Sequence, residues 1–131
     1  LKALDLASAA TRTALDLTGI ADPQSQSGGA AVTGVKASVA QLGGGSDVAL
    51  TPSPAPGFSG APALDGDGRF AGVALLKPVQ VAGSTDGVPG AQAVLVTADT
   101  VRGFLKSNGV NAAGASADAR AAVVRVICVR K

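Results

Sequence analysis

Eighteen glycines and seven prolines punctuate this chain of 131 residues, and their clusters cut it into short segments. Glycine reaches the positive φ of tight turns and proline lacks a ladder donor, so each cluster ends an element rather than continuing one. Between the clusters, residues 14–20 alternate apolar and polar as a half-buried strand does. Residues 32–42 read as a second strand, with Gly34 as a candidate bulge, and residues 47–51 as a third, which Pro52, Pro54 and Pro56 end. Residues 61–64, the turn Asp65-Gly66-Asp67-Gly68 and residues 69–76 form a hairpin pattern. A Gly/Ser/Pro loop over residues 77–90 precedes a strand at 91–96. Thr97 and Asp99, either side of Ala98, then offer capping oxygens ahead of Val101, Phe104 and Leu105 at helical spacing, so one helix is expected from near Ala98 to Asn108. Thr100, Arg102 and Lys106 fall on its solvent face.

The expected fold is therefore all-β: six or seven short strands in an antiparallel barrel or sandwich, with one late helix. At 131 residues the chain suits one domain. Hydrophobic residues make up 47% against 15% charged, enough apolar surface to offset ordering entropy. With aromatics at 2% and no Trp, Tyr or Met, the core has to be built from Ala, Val, Leu and Ile. Residues 112–119 read as a linker, and residues 123–129 carry strong β propensity and an unpaired strand's potential to add to a sheet edge.

Composition also narrows function. Eleven basic residues scattered against nine acidic ones, without a basic block or stacking aromatics, argue against a nucleic-acid partner. No apolar run approaches the ~18 residues of a membrane-spanning helix. Cys128 is the single cysteine, which excludes an internal disulfide and any multi-cysteine metal site, and its apolar surroundings suit a buried structural thiol. Asp65 and Asp67 on a Gly-rich turn suggest calcium, but Arg69 and Leu76 break the ligand pattern, so a solvated hairpin turn is the reading and no metal or cofactor is expected. The chain opens at Leu1 and holds no methionine, which reads as a piece of a longer protein.

The stretch that carries chemistry is Pro56-Gly57-Phe58-Ser59-Gly60-Ala61-Pro62-Ala63-Leu64-Asp65, followed by Phe70-Ala71-Gly72-Val73-Ala74-Leu75. It resembles the nucleophile segment of trypsin-like serine proteases, in which a G-x-S-G-G-P turn precedes a hairpin. In the order of strands and helix the resemblance covers residues 15–109. It implies the second, C-terminal barrel of a chymotrypsin-like fold: a six-stranded antiparallel Greek-key barrel with a short C-terminal helix over residues 1–110, and residues 111–131 as a linker and extra strand. It implies peptide hydrolysis, with Ser59 as nucleophile and the Gly57 and Ser59 N–H groups as oxyanion donors.

The chain contains no histidine. In this family histidine and aspartate come from an N-terminal barrel, so a chain carrying only the second barrel keeps the serine, loses its base and is inactive alone. The implied partners are that missing barrel, a peptide or protein substrate for the parent and, through the surface left uncovered, a second copy of the chain. The family is usually exported, which implies a periplasmic or extracellular parent. Two positions depart from the family pattern: Phe58 stands where many members carry Asp, and Ala61 where they carry a second Gly. Lys36 and Lys77 are the other conceivable bases in a Ser-Lys arrangement, but their spacing reads as exposed strand-edge lysines. A non-catalytic, protease-like binding or assembly module is the alternative.

Overall fold

A computed structural model describes residues 4–6, 14–22, 31–41, 48–78, 91–111, 118–124 and 126. Six strands, β1 (Ala14–Ile20), β2 (Val32–Gln41), β3 (Val48–Thr51), β4 (Pro62–Leu64), β5 (Phe70–Pro78) and β6 (Ala91–Thr97), are followed by one helix, α1 (Ala98–Ser107). The strands close into a barrel in the order β1-β2-β3-β6-β5-β4, every neighbouring pair antiparallel. Three consecutive strands pair in sequence and the fourth returns beside the first, which is a Greek key.

Strand periodicity builds the interior. Leu15 and Leu17 of β1, Ala37 of β2, Val48 and Leu50 of β3, Ala63 of β4, Ala74 of β5, and Ala93 and Leu95 of β6 form one buried cluster. Each strand contributes every second residue, as a pleated wall with one face inward must. Many of these side chains are alanines, so the barrel is filled by small groups, and Phe58 and Leu17 are its largest fully buried residues. A second, outer cluster joins Leu64, Phe70, Ala98 and Ala119, with Leu4, Leu6, Val73 and Val101 packed against it. Leu6 bridges to Phe70, and the Phe70 amide donates to Asp5 O at 2.7 Å, so the amino-terminal residues 4–6 seal this outer layer.

Several expectations need correction. Gly34 marks no bulge, because β1 and β2 pair without a break from Ala14↔Ser38 to Ile20↔Val32. The irregularity lies between β4 and β5, where the partner of Ala63 is Gly72 and that of Leu64 is Phe70, leaving Ala71 as the extra residue. That bulge turns Phe70 and Val73, three residues apart, toward the same outer cluster. Lys77 belongs to β5, opposite Gln92, rather than to a loop. Lys36 and Lys77 are each paired on one side only, with Asp16 of β1 and Gln92 of β6: β3 meets β2 only from Ser38 onward and β4 meets β5 only up to Val73, so both lysines lie on locally open strand edges, as their spacing suggested. The Asp65 turn is not simply solvated: Asp65 is 8% exposed, and its Oδ1 accepts from the Asp67 and Arg69 amides at 2.9 Å each.

Beyond the helix the carboxy-terminal expectations fare differently. Residues 123, 124 and 126 are not in a strand; the Ala122 and Val123 amides instead donate to Ala119 O in a turn. Residues 125 and 127–129, Cys128 among them, lie outside the described residues, as does most of the expected linker. Ala119, at the end of that linker, is buried.

The helix begins where capping chemistry permits it. Thr97 takes the N-cap, with its side-chain oxygen accepting from the Thr100 amide, and Asn108 closes the C-terminus ahead of Gly109 at φ +71°. Ala98 is buried and Val101 half-buried against the outer cluster, whereas Phe104 is 67% exposed although it shares their helical spacing. The helix lies on the barrel along a narrow stripe that excludes Phe104. Thr97→Ala is expected to lower the free energy of unfolding by about 1 kcal/mol, read from denaturant midpoints; an unchanged midpoint would show that the cap contributes nothing. No described helix is long and apolar enough to cross a membrane.

Candidate active site

The segment between β3 and β4 folds back over one end of the barrel. Its first tether is the Asp22 amide, which donates to Pro56 O at 3.0 Å and joins the segment to the end of β1. Gly57 follows at φ +98°, a backbone conformation that side chains resist. A Cβ there would lie 2.5 Å from Asp22 N and 2.8 Å from Ile20 O, so glycine is required both for the angle and for the close approach.

Phe58 comes next and points inward, 1% exposed, into the barrel cluster. Its ring lies so close to Gly19 that a Cβ on Gly19 would come within 2.8 Å of it. Phe58 is thus the plug of an alanine-rich barrel, filling space that its wall residues leave.

Ser59 and Gly60 are the central pair of a β-turn closed by the Ala61 amide donating to Phe58 O at 3.0 Å. Gly60 has φ +91°, the sign a type II turn demands at its second central residue. Gly60 N donates to Ala74 O at 2.8 Å and Ala74 N to Ala61 O at 2.9 Å, which ties the turn to β5. Ala61 is buried in the barrel cluster, so its methyl group, the second departure from the pattern, adds to the packing.

Ser59 is left at the exposed tip of this turn. Among the described residues its hydroxyl has no hydrogen-bond partner, and neither its amide nor that of Gly57 has a protein acceptor. Both residues line a cleft of about 500 Å³ with Gly19, Ile20, Ala21, Asp22, Gly60, Ala61, Val123, Val124 and Val126. Such a volume falls within the roughly 300–1,000 Å³ of ligand clefts.

The two sequence-predicted site residues are therefore brought together, and the candidate bases are not. Lys36 Nζ is 3.0 Å from Asp16 Oδ1, an exposed cross-strand pair on the outer wall, and Lys77 lies along β5 near its end; neither lines the cleft. Sequence reasoning missed Asp22 and the three valines. Asp22 belongs to no motif, and the valines carried only a strand signal. No known protein-family model matches the chain, and no curated protein is significantly similar to it in sequence.

Proposed function

We propose that this chain is the nucleophile-bearing half of a trypsin-like serine peptidase. What supports the reading best is the Ser59 turn: a serine at the exposed tip of a tight, glycine-flanked turn, with two uncommitted backbone amides in the same cleft. The barrel order, in which β4 returns beside β1 and α1 closes the chain of elements, is consistent with it. In this reading the Ser59 Oγ attacks a peptide carbonyl carbon, and the carbonyl oxygen gains negative charge that the Gly57 and Ser59 N–H groups receive. The serine proton passes to an imidazole contributed by another barrel and then to the leaving amine. Water hydrolyses the resulting acyl-enzyme by the same route, with an aspartate orienting the imidazole.

Because the chain has no histidine, it is expected to show no hydrolysis of peptide or ester substrates above that of Ser59→Ala, and no rapid labelling by a fluorophosphonate. The test is the product of the whole open reading frame that contains this chain. Hydrolysis is expected to appear and to fall by at least about 10⁴-fold in Ser59→Ala. A whole-frame product with no Ser59-dependent turnover overturns the peptidase reading. It then favours a non-catalytic binding module, which the exposure of Val124 and Val126 at the cleft also suits.

A further inference from the structure

One wall of the Ser59 cleft is built by the carboxy-terminal segment, and specific contacts hold it there. Ala119 is buried against Leu64, Phe70 and Ala98. The Asp118 carboxylate accepts from the Arg120 and Ala121 amides, and the Ala122 and Val123 amides both donate to Ala119 O, which curls the chain into a compact turn. Arg120 Nη1 reaches Val32 O at 3.3 Å. Val32 is paired with Ile20, so this contact brings the segment to the end of the barrel where the Ser59 turn sits.

Past this anchor Val123, Val124 and Val126 line the cleft together with Ile20, Ser59 and Gly60. Val124 is 61% and Val126 83% exposed. They leave apolar surface in water that a bound apolar group would cover. The remaining described wall is glycine, alanine and isoleucine, and Asp22 is the one ionisable side chain among the described lining residues, so an acidic side chain would meet a like charge there. The Gly57 and Ser59 amides supply donors without a protein acceptor among the described residues. Apolar walls around a pair of backbone donors fit an extended peptide: its carbonyl meets the donors and its side chain meets the valines.

We propose that this cleft binds an extended peptide segment carrying an uncharged apolar side chain, with Val124 and Val126 determining that preference. The proposal deepens the peptidase reading by naming its substrate class, and rests on that reading for cleavage but not for binding, which needs no base.

The test uses the 131-residue chain, isotopically labelled and titrated with capped tetrapeptides Ac-Ala-Ala-X-Ala-NH2, where X is Val, Leu or Asp. Saturable shifts of the Gly57, Ser59, Gly60 and Val124 amide resonances are expected with Val and Leu, and about tenfold weaker binding with Asp. Val124→Asp and Val126→Asp are each expected to weaken binding of the Val peptide about tenfold, the change that covering one valine side chain commands. Phe104→Ser, exposed on the helix away from the cleft, is expected to leave binding unchanged. Both valines are exposed, so the variants are expected to fold, which unshifted β1 amides verify. The proposal is overturned by equal affinity for the Asp peptide, by indifference to both valine variants, or by no saturation at about 10 mM peptide, beyond the weak end of specific association. Concentration-dependent shifts of the same amides without peptide also overturn it, since a second copy then occupies the cleft.

In the product of the whole reading frame the two ideas fail separately. Ser59-dependent hydrolysis that ignores X and the valines removes the substrate class and keeps the peptidase. Valine-dependent binding without hydrolysis does the reverse.

Discussion

Phe58→Ala is expected to lower the free energy of unfolding by about 3–5 kcal/mol, the range for removing a fully buried phenylalanine. The upper part of that range applies here because the surroundings cannot collapse. Ala61, Ala63, Ala74 and Ala93 belong to the same cluster, and alanines have no side-chain rotamers with which to fill the void. Gly19, pressed against the ring, cannot fill it either. Phe58→Asp is expected to be worse, since it buries a carboxylate in the space of an apolar ring. Denaturant unfolding measures both. A Phe58→Ala loss below about 1 kcal/mol would mean that the barrel end is not packed as described.

Gly57→Ala is expected to cost on the order of 3 kcal/mol, and the comparison with Gly60→Ala isolates why. Both glycines have positive φ, at 98° and 91°, so both substitutions carry the left-handed penalty of about 1–2 kcal/mol. A Cβ on Gly60 meets nothing within 4 Å, whereas one on Gly57 overlaps backbone atoms of Ile20, Ala21 and Asp22. Backbone of a barrel strand and its continuation cannot rotate aside as a side chain can, so the turn must lift and strain the Asp22 amide bond to Pro56. Gly57→Ala is therefore expected to be distinctly less stable than Gly60→Ala and to shift the Ser59 amide resonance. Equal losses in the two variants would remove the close-approach argument and leave φ as the whole effect.

The elements most legible in the sequence are those set by local chemistry. The strand at Ala14–Ile20, the hairpin of β4 and β5, and the helix that starts at Ala98 after its Thr97 cap follow from alternation, turn residues and capping within a dozen residues of chain. The Ser59 turn belongs with them, because glycines at 57 and 60 announce positive φ before any fold is known. The bulge was misplaced because glycine is only one route to a bulge: Gly34 sits in unbroken register, and Ala71 became the extra residue through the pairing of β4 with β5.

What local chemistry could not express is where each segment finds its partner. The valines at 123, 124 and 126 have the propensity of a strand, yet the Ala122 and Val123 amides are drawn into a turn on Ala119 O, a turn placed by the burial of Ala119 in the outer cluster. Phe58 was visible only as a departure from a familiar pattern, and its role as a plug depends on how little volume the alanines of four other segments supply. From residues alone came the all-β class, the single helix, and a serine on a glycine turn without a histidine to serve it. The barrel's closure, the burial of Phe58 and the cleft shared by Ser59 with the carboxy-terminal valines were decided by tertiary structure, because packing joins residues as far apart as Ile20, Ser59 and Val124, whose spacing along the chain carries no signal.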